Sequence, residues 1–280
     1  STRLTYRVPA VSRTDFPAWL WAMRRSQLYI NGGGTLIQNA TSHRSLWYYL
    51  FTLWLAKRLG NHVDMYGCGI GPVRGRHNQR LVRRVLNRSV DVITLREPDS
   101  MTELASYGVD RPKVRLSSDP ALILPQADPA QAERFLRDQG VEPGGRYICF
   151  LLRNWRGFEG KAKIFARCAQ QARDKLGLEP VFLPINSFQD PAAAKEVLSH
   201  MERPGLSLTG AGPELLISVL AKMEVVVSMR LHGLIFSSLS GAPLVGVSYD
   251  PKIGSYLRYL GYGQWTELGD LTEDWLNQSI

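Results

Sequence analysis

Apolar and polar positions follow two rhythms along this chain. Short apolar runs bounded by Gly, Pro or Asp predict strands, and longer stretches with apolar positions three or four apart predict helices. In order, the pattern predicts a helix over Thr14–Arg25, a strand over Leu28–Asn31, a long helix over Ser42–Leu59 and a strand over Val63–Tyr66. A basic helix over Asn78–Asn87, a strand over Val90–Leu95, a helix over Pro98–Tyr107 and a strand over Val114–Leu116 follow. Ser42 can cap the long helix, and Pro98 and Gly108 open and stop the later one. The stretch Ser117–Gln131, with Pro120, Pro125 and Pro129, reads as a linker and crossover.

The alternation then resumes. Helices are expected over Ala130–Asp138, Lys161–Leu176, Pro191–His200, Pro213–Lys222, Leu231–Leu239 and Pro251–Leu260. Strands are expected over Tyr147–Leu152, Pro180–Pro184, Leu206–Leu208, Val225–Ser228 and Leu244–Ser248. Strands alternating with helices build parallel sheets covered on both faces. Two such blocks predict an α/β chain of two Rossmann-like domains, residues 1–120 and 121–280, facing an interdomain cleft. No strand with a glycine-rich turn precedes Thr14, so the first domain is expected to be truncated at its N-terminus.

The chain has 280 residues, 44% of them hydrophobic, which suffices for a sizeable core without disulfides. Cys68, Cys149 and Cys168 show no CxxC spacing and sit in or beside apolar runs, so they read as core residues in a reducing compartment, the cytoplasm. No signal peptide is visible. The longest apolar stretch, Leu46–Leu59, contains Lys57 and Arg58 and is too short to span a bilayer. Trp47, Tyr48, Tyr49, Phe51 and Trp54 crowd it, which suits a membrane surface, but its periodicity favours a buried helix. The net charge of +9 favours anionic partners: phosphorylated small molecules, anionic lipid or nucleic acid. No HExxH, GxSxG or zinc spacing occurs, so no metal site is predicted, and negative charge must be met by Arg, Lys and backbone amides.

In open α/β sheets ligands sit beyond the carboxyl ends of strands, which directs attention to the residues after each one. Asn31, Gly32, Gly33, Gly34 and Thr35 follow the first strand and are expected to lead towards a helix, with amides that can form an anion nest. Gly67, Gly69, Gly71 and Pro72 shape the next strand exit, followed by Arg74 and Arg76. Arg96 stands at the third, balanced between ligand binding and a structural salt bridge; Glu97 and Asp99 read as helix-start residues. In the second block Arg153, with Trp155 after it, and Asn186 occupy strand exits. Arg230 and His232 lie where a strand passes into a helix, and Lys252 closes the neighbouring exit. Arginine offers a planar fork to carboxylate or phosphate, and histidine can pass a proton near neutrality. These three side chains can therefore converge on one anion. His43 and His77 border loops and carry less weight; His62 and His200 read as surface.

The segments "NGGGTLIQN", "GIGPV", "LREPDS", "SDPAL" and "SMRLHGLIFSSLSGAPLVGVSYDPKI" together resemble the polysaccharide pyruvyl transferases, particularly the bacterial cell-wall type CsaB, from about Leu28 to Gly261. The resemblance implies a GT-B-like architecture and transfer of pyruvyl from phosphoenolpyruvate to a sugar. The expected product is a 4,6-linked ketal on N-acetylmannosamine of a lipid-linked precursor, serving S-layer anchoring. It implies that Arg230, His232 and Lys252, with Leu231 between the first two, handle phosphoenolpyruvate, joined by a first-domain arginine, Arg74 or Arg96. No cofactor is implied, and a peripheral seat at the inner membrane surface is a further expectation.

Two other readings compete. One is a nucleotide-sugar glycosyltransferase of the same architecture, with Glu214 as the acid on the donor ribose. The other is a non-catalytic binder of anionic polymer using the cluster from Arg74 to Arg88. That cluster equally suits anionic lipid, and nucleic acid is not the expected partner.

Overall fold

The computed structural model describes residues 7–280 apart from Arg13 and Thr41. The chain divides into two compact units, Ser1–Pro120 and Ala121–Ile280.

Unit 1 holds a parallel sheet of β1 (Leu28–Asn31), β2 (Gly34–Ile37), β3 (His62–Ile70), β4 (Val92–Leu95) and β5 (Lys113–Leu116). Its helices are α1 (Phe16–Arg25), α2 (His43–Arg58), α3 (Arg76–Ser89) and α4 (Pro98–Ser106). The glycine stretch does not lead into a helix as expected. β1 and β2 both run along β3 in one register from Leu28 to Thr35, Asn31 opposite Met65 and Gly34 opposite Cys68, and the register shifts only between Thr35 and Ile37. They are one strand interrupted at Gly32 and Gly33, and the helix follows only after Asn39.

β3 is also longer than its apolar run predicts. Gly67 and Gly69 lie inside the strand rather than in an exit loop, so the exit begins at Gly71. Gly67 has a φ of 58°, and a Cβ there would stand 2.1 Å from Cγ of Pro120. Only glycine lets the end of the β5 segment fold back over the strand.

α2 is not wholly buried. Leu46, Leu50, Leu53 and Ala56 face the core, at helical spacing, while Trp47, Tyr48, Phe51 and Trp54 face outward. The core of unit 1 is completed by Val63, Met65, Val82, Leu86, Ile93 and Leu104.

Unit 2 holds β6 (Tyr147–Leu151), β7 (Glu179–Phe182), β8 (Leu206–Ser207), β9 (Val225–Ser228), β10 (Leu244–Ser248) and β11 (Trp265–Glu267), all parallel, in the order β11-β10-β9-β6-β7-β8. β6 is buried throughout, and its residues alternate between two cores. Cys149 and Leu151 join one core and Ile148 and Phe150 the other. This is the signature of a sheet covered on both faces. The first face carries α5 (Pro129–Asp138), α8 (Pro213–Leu220), α9 (Leu231–Ser240) and α10 (Pro251–Tyr259). The second carries α6 (Glu159–Leu176), α7 (Pro191–Leu198) and α11 (Glu273–Ser279).

The crossover is pinned to unit 2: Ala127 N donates to Glu214 O at 3.1 Å, and Gln126 Nε2 to Leu239 O at 3.1 Å. β11 and α11 were not expected. Both are short, and Trp265–Glu267 gains its strand form only by pairing with β10. All three cysteines are free and buried, and burial pushes the Cys68 and Cys168 thiols up to about 12. Among the described residues no helix is long and apolar enough to cross a membrane, and no group of His, Cys, Asp and Glu suits a metal ion.

Gly67→Ala should destabilise the protein by at least about 2 kcal/mol, combining a left-handed backbone with a clash against a rigid ring. A lower denaturant midpoint at unchanged m-value is the expected reading.

Candidate functional site

The strand order of unit 2 has a reversal in it. From β6 the chain moves outward through β7 to β8; it then returns to pair β9 on the other side of β6 and moves outward through β10 to β11. The loops leaving β6 and β9 therefore diverge, and in open α/β sheets this reversal is where ligands bind. Leu151 of β6 is paired with Ser228 of β9. Two residues beyond each stand Arg153 and Arg230, so the register sets the two arginines side by side at the switch point.

Both face one carboxylate. Arg230 Nε lies 3.5 Å from Oδ2 of Asp190, and Arg153 Nη1 lies 3.8 Å from its Oδ1. The Asp190 side chain is 2% exposed. Its Oδ2 also accepts from Asn186 N at 2.8 Å and Ile185 N at 3.2 Å, which fixes it to the loop after β7. Asp190 Oδ1 and Arg153 Nε have no hydrogen-bond partner although buried. Arg153 also donates to Gln189 and sits over Trp155, 5.6 Å from the ring centre. Trp155 in turn packs against Tyr249 with ring centres 5.0 Å apart. Burial pushes the Tyr249 phenol up, and the nearby Arg230 and Arg153 pull it partly back.

Sequence reasoning passed over Asp190. Its signal was the Asp-Pro pair before α7, which reads as a helix cap. In the structure its side chain does not cap the helix but turns back to the loop amides and the arginines. Asn186, which the sequence did single out, is engaged locally: its Oδ1 accepts from Phe188 N and Gln189 N at 3.0 and 3.1 Å.

Arg230 occupies the N-cap position of α9. Ser228 Oγ accepts from Arg230 N and donates to Arg230 O, both at 3.0 Å, which locks the backbone of the exit. A Cβ on Gly233 would stand 2.3 Å from that Ser228 oxygen, so glycine allows the first turn of α9 to pack directly on the strand end. Leu231 is buried beneath the turn. His232 is exposed, its ring 5.9 Å from Phe236 one turn on. β10 repeats the device: Ser248 Oγ donates to Asp250 O at 3.3 Å. Asp250 caps α10 through Lys252 N, and Lys252 Nζ lies 3.1 Å from Asp250 Oδ2. Arg153, Arg230, His232 and Lys252 thus leave three adjacent strands, but the arginines share Asp190 while Lys252 holds its own aspartate.

Unit 1 uses its candidate residues differently. Arg96 is 5% exposed and lies between two carboxylates, with Nη1 2.7 Å from Asp119 and Nε 3.0 Å from Glu97. It forms a buried structural ion pair. Glu97 also accepts from Ser100 Oγ at 2.8 Å, and burial pushes its carboxyl up while Arg96 opposes the shift. Arg74, in contrast, is exposed on a pinned backbone. Asn39 Oδ1 accepts from Arg74 N at 2.7 Å, and Asn39 and Asn78 donate to Arg74 O. The same two amides lie 3.3 and 3.2 Å from His43 Nδ1. Asn31 is buried with its Nδ2 unpartnered, beside Gly32 and Gly33 at the strand break.

A sequence model of the family described as polysaccharide pyruvyl transferase matches residues 1–251. The chain belongs to that family. No curated protein matches it. Among solved structures, similarity extends to HepE of Anabaena in complex with UDP and glucose, at 12% identity, over 94% of this chain and 70% of that one, with a TM-score of 0.59. A glycosyltransferase from Rickettsia africae is similar at 11% identity, over 98% and 72%, with a TM-score of 0.60. The UDP-GlcNAc 2-epimerase of Methanocaldococcus jannaschii is similar at 10% identity, over 97% and 76%, with a TM-score of 0.61. At such identities the likeness shows the fold, an α/β architecture of parallel sheets shared with these enzymes. It leaves the chemistry of this chain to its own residues.

Asp190→Ala would leave two guanidiniums facing each other and two loop amides without an acceptor. A loss of about 3–5 kcal/mol is expected. Asp190→Asn, which keeps an acceptor oxygen, should lose less. Denaturant midpoints of the two variants against the parent check the order.

Proposed function

We propose that the chain transfers a pyruvyl group from phosphoenolpyruvate to two hydroxyls of one sugar, forming a ketal. The acceptor in this reading is N-acetylmannosamine of a lipid-linked cell-wall precursor, and the charged product serves S-layer anchoring in the CsaB manner. The observation that supports it most is the pair Arg153 and Arg230 held on Asp190 at the switch point, in a chain of this family. Phosphoenolpyruvate carries a carboxylate and a phosphate on one carbon, and two adjacent planar forks suit such a dianion.

The steps balance without a redox partner. A proton adds to the methylene carbon of phosphoenolpyruvate, leaving an oxocarbenium-like centre at C2. The first sugar hydroxyl attacks it and loses its proton. The C–O bond to phosphate breaks, phosphate departs with the electron pair, and the second hydroxyl closes the ketal and gives up its proton. His232, exposed on the first turn of α9, is the proton carrier in this reading. Arg230 and Arg153 bind the donor, and Lys252 meets it with the donor positions that Asp250 leaves open. In unit 1 the exposed Arg74, rather than the ion-paired Arg96, belongs to substrate. The reading needs no metal or cofactor and places the reaction in the cytoplasm, where the acceptor is carried on lipid.

A second reading is favoured by one observation. Glu214 is exposed in the first turn of α8, directly after the β8 segment. There it can meet the ribose of a sugar nucleotide such as the UDP-glucose in a complex of HepE. Thermal shift separates the two: stabilisation by phosphoenolpyruvate and not by UDP-sugars supports pyruvyl transfer, and the reverse supports glycosyl transfer.

The direct test is phosphate release from phosphoenolpyruvate with lipid-linked amino-sugar acceptors. His232→Ala should lower kcat by ~10²–10⁴-fold with the circular dichroism unchanged. Near-parental turnover removes His232 from the mechanism. Arg230→Lys keeps the charge but loses the fork, so KM for phosphoenolpyruvate should rise about tenfold or more; an unchanged KM speaks against donor binding there.

A further inference from the structure

Helices α1, α2 and α3 of unit 1 carry two, three and five lysines and arginines respectively, and no aspartate or glutamate. The positive charge is concentrated on α3. Arg80, Arg83, Arg84 and Arg88 line an open groove with Asn87, and Arg111 closes it from the loop before β5. The groove is built rather than incidental. Asn87 Oδ1 accepts from Asp110 N and Arg111 N at 3.0 and 3.1 Å, and its Nδ2 donates to Gly108 O at 3.0 Å, which fixes the loop against the helix. Asp110 is the one acid on its wall. The groove lies towards the amino ends of β4 and β5, away from the strand exits where the substrate residues stand.

α2 packs beside α3, with Trp47 Nε1 donating to Asn78 Oδ1 at 3.1 Å. Its outward face is aromatic. Phe51 and Trp54 are each 43% exposed and Trp21 of α1 is 62% exposed. The rings are continuous between the helices: Phe16 meets Trp19, Trp19 meets Phe51, and Phe51 meets Trp54, at centroid distances of 5.5, 6.5 and 5.8 Å. Cations border the aromatic row, with Arg25 over Trp21 at 4.9 Å and Arg58 over Trp54 at 5.9 Å.

We propose that unit 1 docks on an anionic bilayer surface, with the α3 arginine groove taking lipid phosphates and the aromatic row of α1 and α2 entering the headgroup layer. Charge complementarity selects this occupant: a face without acid on its three helices is attracted to phosphate headgroups. Tryptophan, tyrosine and arginine are the side chains that rest at that depth. The inference stands on these helices alone and is independent of the reaction catalysed.

The test uses the whole chain with vesicles of phosphatidylcholine, either pure or containing about 30 mol% phosphatidylglycerol. Binding is followed by co-sedimentation and by tryptophan emission, and melting midpoints establish that each variant is folded. The expected result is binding to the anionic vesicles only, weakening as salt rises. Arg80→Glu with Arg84→Glu should weaken partition at least about tenfold. Phe51→Ser with Trp54→Ser should abolish the blue shift of emission. Absence of binding, equal binding to neutral vesicles, or binding indifferent to both variants would overturn the proposal. So would full displacement by millimolar pyrophosphate, which would mark a soluble phosphate site. A dimer that the aromatic substitutions dissociate would assign the face to a second copy of the chain, and tighter binding to duplex DNA than to vesicles would assign it to nucleic acid.

Discussion

Two guanidiniums stand side by side in unit 2 because one buried carboxylate stands between them. Arg153 and Arg230 leave neighbouring strands at matched positions, and without a counter-charge their repulsion would drive them apart. Asp190 supplies that charge from a third strand exit, and the amides of Ile185 and Asn186 hold it in place. A carboxylate so anchored cannot follow one arginine away from the other. Arg153 Nε and Asp190 Oδ1, both buried, keep unused hydrogen-bonding capacity. The neighbouring strand exit supplies Lys252 with an aspartate of its own, so the cations of the site are paired rather than bare.

The backbone has prepared this placement before any side chain acts. The sheet reverses direction between β6 and β9, and the pairing of Leu151 with Ser228 puts the two exits level. Ser228 and Ser248 close the ends of β9 and β10 with the same hydroxyl-to-carbonyl bond, so the following helix starts rise at defined angles. Gly233 lets α9 descend onto the strand end. The fold is shared with HepE, a glycosyltransferase and a UDP-GlcNAc 2-epimerase, at identities of 10–12%. A common scaffold leaves its separate reactions to the side chains set on it.

Arginine serves three purposes in this molecule, separated by burial. Arg96, between Asp119 and Glu97, is neutralised inside unit 1 and ties the ends of β4 and β5 together. Arg153 and Arg230 are half-covered and share one acid. The arginines of α3 are exposed with Asp110 alone on the groove wall, and stay available to an external anion. Composition counts all of these equally in the net charge of +9, although their burial sets them apart.

Much of the fold was legible in the sequence. The alternation of apolar runs with amphipathic stretches located most of the strands and helices, because burial on two faces imposes it residue by residue. β9 and β10 fall within their predicted limits for that reason. The exits carrying Arg153, Arg230, His232 and Lys252 were legible too, since a strand end followed by a helix start is a local pattern. Other features depend on partners distant in sequence. β2 and β11 are strands only because β3 and β10 lie beside them, and α2 turns an aromatic face outward that its periodicity suggested was buried. Asp190 went unnoticed in the sequence, and only the arrival of two arginines from other strands gives its carboxylate two partners. Local sequence determined where the chain extends, coils and turns; the tertiary fold decided which charges meet, because pairing depends on distances between strands that no local pattern encodes.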